Sequence, residues 1–182
     1  SHLWAYIQLD RKFNDKKSRY DVRKALNNKV TWKLASSSEE WSQYHRILSD
    51  NLRDRHNTTP VHSLDEMLAV HERLDNKTYL FVAYLPDGSM GAGIWLWDYG
   101  NGVVHTQYIA STISGRHLRA VDLLLNANVN WARENNKNIL SIGHSSIDDG
   151  WDINHGLLFF KMKFGAGLAQ SSIFEYLIDE NI

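Results

Sequence analysis

Nine histidines and no cysteine define the chemistry open to this chain of 182 residues. Without a thiol there is no thiolate zinc site, no disulfide framework and no cysteine to carry an acyl group. Any acyl transfer is therefore direct or passes through another residue. Imidazoles with an ordinary pKa of about 6.5 can take a proton from an attacking amine or hydroxyl near neutral pH, and His105, His62 and His144 are the candidates. Each reads equally as a hydrogen-bonded core or surface histidine. His105 opens the run His105-Thr106-Gln107-Tyr108, where a strand period of two predicts His105 and Gln107 on one side and Thr106 with Tyr108 on the other. Polar side chains on one face of a central strand need partners or a cavity, because burying each unpaired costs about 1–3 kcal/mol. A site at this strand follows, with Gln107 as an orienting group. Metal and serine-nucleophile chemistry find little support. No His-Glu-x-x-His is present, no metal site is expected, and Ser145-Ser146 lacks the Gly-x-Ser-x-Gly elbow.

The elements that must hold these residues follow from periodicity. Trp4 to Leu9 reads as an edge strand or an extended lead-in, and Asp15 to Leu26 as a helix. The cations of that helix, Lys16, Lys17, Arg19, Arg23 and Lys24, are interleaved with Asp15 and Asp21 and read as a solvated face. Val30 to Leu34 alternates as a strand. Ser36-Ser37-Ser38-Glu39-Glu40 starts a helix through Trp41, Tyr44 and Leu48, Thr59-Pro60 interrupts it, and Ser63-Leu64-Asp65-Glu66 starts another. Tyr79 to Leu85, Met90 to Trp97 and Val103 to Ala110 form an antiparallel meander joined by glycine turns. Leu118, Val121, Leu124, Leu125 and Val129 predict one long amphipathic helix entered at Gly115. A short strand at Ile139 to Ile142, a loop at Asp148-Asp149-Gly150 and a helix from Asn154 to Lys163, capped by Asn154, come next. Phe164 to Gly167 stops that helix, and Ser172 to Ile178 closes the chain as a strand.

Lys and Arg total 20 against 21 Asp and Glu, a net charge of −1, so the strong positive field of a protein that lives on nucleic-acid phosphates is missing. No apolar run approaches the roughly 20 residues of a membrane span. The start, Ser1-His2-Leu3-Trp4, has no features of a signal peptide. A cytoplasmic protein with neither nucleic-acid nor membrane partner is the expectation.

The order strand, helix, helix, three strands, long helix, strand, helix, strand resembles the GNAT acyltransferase fold, an α/β (α+β layered) architecture with a mixed central sheet flanked by helices. The lead-in Arg19-Tyr20-Asp21-Val22-Arg23-Lys24-Ala25 running to Val30-Thr31 is similar to the Fem-type (FemABX-like) branch of that superfamily. So are Pro60-Val61-His62-Ser63-Leu64, His105 to Ala110, Ser114-Gly115-Arg116, and Asn154-x-Gly156-Leu157 with Lys161-x-x-Phe164-Gly165. The resemblance implies a donor such as acyl-CoA between two splayed strands, against Ile109 and Ala110, with its phosphates near Ser114, Gly115, Arg116 and Asn154. It implies Lys161 where the fold usually keeps a thiolate-protonating tyrosine, and Gln107, His144 and Ser145 near the acceptor. Two departures stand out: Ser111 to His117 carries a single glycine, and the acid of a Ser-x-Glu is missing or displaced to Asp148. An amine, hydroxyl, glycan or peptide acceptor is implied, with a non-catalytic binding module or aminoacyl transfer in cell-wall peptide synthesis as alternatives. Residues 1–26 read as a lead-in and 27–182 as a GNAT-like domain, the C-terminal half of a tandem protein or one half of a homodimer.

Overall fold

The computed structural model describes residues 2–11, 16–74, 77–147 and 151–172. Its elements are β1 (His2–Gln8), α1 (Lys16–Asn27), β2 (Thr31–Leu34), α2 (Ser38–His56), α3 (Leu64–Arg73), β3 (Thr78–Tyr84), β4 (Met90–Gly100), β5 (Val103–Ser111), α4 (Ile113–His117), α5 (Ala120–Glu134), β6 (Ile139–His144), β7 (Ser146–Ile147), β8 (Asp152–Ile153), α6 (His155–Met162) and β9 (Gly167–Ser171). Seven strands form a mixed sheet in the order β2-β3-β4-β5-β6-β1-β9, and β5–β6 is its parallel pair. The expected α/β class with a mixed sheet between helices is observed.

Helix starts follow from their caps. The Ser37 side chain accepts the Glu40 N–H ahead of α2, and Ser63 with Glu66 makes a reciprocal capping box for α3. The apolar stripes then decide which face each helix covers. On one face Leu124 and Leu125 of α5 and Ala25 of α1 pack with Phe81, Ile94, Leu96 and Leu140 of the sheet. On the other, Trp41, Tyr44 and Leu48 of α2 and Met67 of α3 pack with Leu80, Val82 and Trp95. Burying each large side chain contributes about 1.5–3 kcal/mol. The small residues at the start of β4 are required by close approach: a Cβ on Gly93 would lie 2.3 Å from the Tyr44 ring, and one on Gly115 would lie 1.9 Å from the Gly91 carbonyl oxygen.

Three expectations are corrected, and the expected closing strand falls, beyond Ser172, outside the described residues. β1 is not an edge strand, because it pairs antiparallel with β6 on one side and with β9 on the other. The single long helix is two, α4 and α5, broken where Arg119 adopts φ 63°. The strand that completes the sheet is β9, at residues where a helix stop leads into loop; beyond Ser172 the strand expected to Ile178 lies outside the described residues, as do Asp15 and the loop at Asp148 to Gly150. A bulge in β5 alters its faces. Trp95 pairs with Tyr108 but Leu96 with Thr106, so the two-residue period is interrupted at Gln107. His105 opposite Trp97 and Tyr108 opposite Trp95 therefore share the face covered by α2 and α3.

Candidate functional site

β5 and β6 stay together only from Val103↔Ile139 to His105↔Ser141. Beyond His105 no strand among the described residues pairs with that edge of β5, and the strands part around a cavity of about 900 Å³. Ile109 and Ser111 of β5 form one wall, His144 and Ser146 the other, with Arg116, Arg119 and Asp122 above and Asn154, Leu157 and Phe160 around α6.

At the apex of the fork β6 bends at Gly143, whose φ of +75° favours glycine. Lys161 reaches this bend from α6 and is 2% exposed. Its Nζ donates to the carbonyls of Gly143 at 2.9 Å and His144 at 2.7 Å, and no carboxylate among the described residues pairs with it. Burial lowers its pKa to about 8. A Cβ on Gly143 would lie 3.9 Å from His105 Cε1 and 4.0 Å from Lys161 Nζ, which puts both side chains at the same bend.

His105 is held between the Ser141 hydroxyl, 3.0 Å from Nδ1, and the rings of Tyr99 and Trp4. Burial first, then the Lys161 charge and His144, lower its pKa to about 4, so it is neutral at physiological pH. His144 lines the cavity and is exposed to it. Its Nδ1 lies 3.2 Å from the Ser146 carbonyl, which can only accept; Nδ1 therefore carries the proton and Nε2 is left as an acceptor. Its pKa is lowered by burial and by His2, against the Ser146 carbonyl. Ser145 is buried beside it with a hydroxyl that has no partner among the described residues.

The other expected residues are dispersed. His62 lies on the α2/α3 face, its Nδ1 3.1 Å from the Tyr108 hydroxyl and its ring edge-on to Trp95 and Trp97. Gln107 occupies the bulge, and its side chain makes no hydrogen bond among the described residues. Ala110 packs into the core beneath α2, whereas Ile109 faces the cavity. Asn154 caps α6 through the Leu157 N–H at 2.9 Å and also lines the cavity. Asp148 lies outside the described residues.

The residues present fit the acyl arm of a donor better than its phosphates. β5 offers an unpaired edge beyond the fork, but the α4 end is engaged internally. The Gly115 N–H donates to the Thr112 hydroxyl at 2.9 Å, and the Gly115 Cα is pressed against Gly91. Both backbone groups of Ser111 are taken: Asn51 donates to its oxygen at 2.6 Å and accepts from its N–H at 3.2 Å, and Arg116 donates to the same oxygen at 3.1 Å. Arg116 and Arg119 line the same region together with Asp122, which is paired to Lys163. The Gly115 N–H is engaged within its own turn. Asn51 was missed from sequence, although the stripe Trp41, Tyr44, Leu48 continues at position 51, where a polar residue breaks an otherwise apolar series.

No known protein-family model and no curated protein sequence matches this chain. Solved structures do. FemX superposes with a TM-score of 0.75 at 15% identity, covering 92% of this chain and 59% of that one. The C-terminal domain (DUF2156) of a putative lysylphosphatidylglycerol synthetase from Agrobacterium fabrum gives 0.67 at 16%, covering 92% and 57%. An acetyltransferase of the GNAT family from Staphylococcus aureus Mu50 gives 0.51 at 13%, covering 59% and 68%. The chain thus spans less than three-fifths of the length of the first two. At these identities the likeness is one of fold, and with the splayed β5–β6 pair it gives this chain the GNAT fold.

Proposed function

We propose that this protein is an acyltransferase whose activated acyl donor lies along the free edge of β5 and whose acceptor is an amine or hydroxyl, on a small molecule, glycan or peptide. The observation that carries this reading is a buried lysine, without a carboxylate partner among the described residues, at the apex of a splayed strand pair. The acceptor nitrogen or oxygen bonds to the acyl carbon, the bond from that carbon to the donor's sulfur or oxygen breaks, and the acceptor's proton passes to Nε2 of His144. The Lys161 ammonium stabilises the negative charge that develops on the acyl oxygen or the leaving group, in a site where burial strengthens it. His105, neutral and held by Ser141, shapes the apex and helps to orient the acceptor. Gln107 and Ser145 remain candidate acceptor contacts.

An acyl-CoA donor would supply the thioester. A second reading, an aminoacyl ester donor, is favoured by one observation, the engagement of Ser111 by Asn51 and Arg116 at the end where CoA phosphates would sit. Incubating the protein with an amine-bearing acceptor panel and either acyl-CoA or an aminoacyl ester, and following thiol release or ester loss beside calorimetric binding, separates the two. Binding and turnover of neither donor would overturn the acyltransferase reading.

A further inference from the structure

The cations of α1 were expected on a solvated face interleaved with Asp15 and Asp21; Asp15 lies outside the described residues, and Asp21 turns away from that face. Asp21 is the sole acid between Lys16 and Asn27, and it is 2% exposed, turned inward onto Lys163 at 2.8 Å and Arg119 at 3.3 Å. Lys16, Lys17, Arg19, Arg23 and Lys24 stay on the outer surface of the helix. Arg19 and Arg23, one turn apart, make no ion pair among the described residues. With Arg133 of α5 they rim a groove of about 300 Å³ floored by Val22, Val129 and Phe164, and no acid among the described residues lines it.

Apolar side chains that point outward are set among these charges. Tyr20 is 64% exposed and Leu26 55% on α1; Phe159 is 62% and Met162 49% on α6. The Lys17 ammonium stands 5.0 Å above the Phe159 ring, joining the two helices into one surface. An RNA partner would account for the cations and for the aromatic rings, which stack on bases, but not for the exposed aliphatic Leu26 and Met162. A lipid interface accounts for all three, since lysines and arginines meet headgroup phosphates while tyrosine, phenylalanine, leucine and methionine enter the acyl boundary. We infer that the α1–α6 face docks on an anionic lipid surface. It does so without any spanning helix, and none among the described residues is long and apolar enough to cross a membrane. The docking is independent of acyl transfer and is read with no donor present.

The test is co-sedimentation of the whole chain with phosphatidylcholine vesicles containing none or about 30% phosphatidylglycerol, each basic residue near such a surface being worth roughly 1 kcal/mol. Binding is expected only to the anionic vesicles, and is lost at about 1 M salt, where the screening length falls to roughly 3 Å. Arg19→Gln with Arg23→Gln, both at exposed positions, should weaken it about 30-fold, the effect of two such residues. Tyr20→Ser with Phe159→Ser should weaken it while leaving the salt dependence in place. Equal binding to both vesicle types, or to neither, overturns the proposal, and the wild-type protein alone decides this. Tighter binding to a short RNA duplex than to anionic vesicles, with the same dependence on Arg19 and Arg23, also overturns it.

Discussion

His144 lines the cavity and Lys161, buried at the Gly143 bend, donates to the His144 carbonyl; their opposite requirements fix how activity should vary with pH. His144 must be neutral to accept a proton, and its pKa is lowered from the usual histidine value, so the acid limb lies below about 6.5. Lys161 must be charged, and its pKa is lowered to about 8, so activity falls as pH rises through that value. Lys161→Met should cost about 10²–10³-fold in kcat and abolish the alkaline limb. His144→Ala should cost about 10²-fold or more and abolish the acid limb. Unchanged pH–rate profiles in both variants would remove these roles. His105 has a separate signature, in stability. Its folded pKa of about 4 lies below its unfolded value of 6.5, so the unfolded chain binds the extra proton more readily between those values. Stability is therefore full above pH 6.5 and declines as pH falls to about 4, by roughly 3 kcal/mol. Urea melts of His105→Asn across that window should show most of this slope gone; an unaltered slope would place the titration elsewhere. His105 and His144 were legible as chemistry-bearing residues from their type, and Lys161 from its spacing after Asn154. That all three sit at the Gly143 bend was not, because the bend joins elements from three separate parts of the chain.

The elements that make the cleft show a similar division between local and distant causes. Caps, turns and amphipathic stripes are local, so α2, α3, β3, β4 and α6 were legible to within a few residues. The neighbours of β1 lie more than 130 residues away in β6 and β9, so nothing within its own seven residues marks it as internal. The bulge at Gln107 is likewise a property of the β4–β5 pairing, not of the β5 sequence, and it overrides simple alternation. The break at Arg119 arises where its left-handed backbone, costly for a residue with a Cβ, is accompanied by the ion pair with Asp21. Gly115 illustrates how one residue supports different readings. As a phosphate-loop glycine it would tolerate alanine until a donor bound. As the contact between α4 and β4 it would not, because the added Cβ would meet the Gly91 carbonyl oxygen at 1.9 Å and backbone must shift. Gly115→Ala should destabilise the ligand-free protein by about 3 kcal/mol, at the upper end of overpacking costs. Chemical denaturation measures this directly. A stable variant with weakened donor binding would restore the phosphate reading.

The molecule as a whole is tied together at one wall of the cleft by a buried group of charges. Lys163, just beyond α6, bonds to Asp21 of α1 and Asp122 of α5; Arg119, between α4 and α5, reaches Asp21 as well. Lys163 is 8% exposed and both carboxylates less than 5%, so these charges have little water to fall back on. Such a group contributes little net stability when complete, yet removing one member leaves an uncompensated charge and costs about 3–5 kcal/mol. Lys163→Met should therefore destabilise by that amount at neutral pH. Asp21 retains Arg119, whereas Asp122 is left alone, its pKa already raised by burial even with Lys163 beside it. Losing the lysine raises it further above the unfolded value, so the folded variant binds the proton more tightly. The deficit of Lys163→Met should thus shrink as pH falls toward 5, while wild type gains nothing comparable. Adding Asp122→Asn should recover part of the neutral-pH loss, since the two sites act on one charge. Additive losses in the double variant, or a Lys163→Met deficit that is flat with pH, would show that the Lys163 ammonium acts through the Phe160 and Phe164 rings it stands over, not through Asp122.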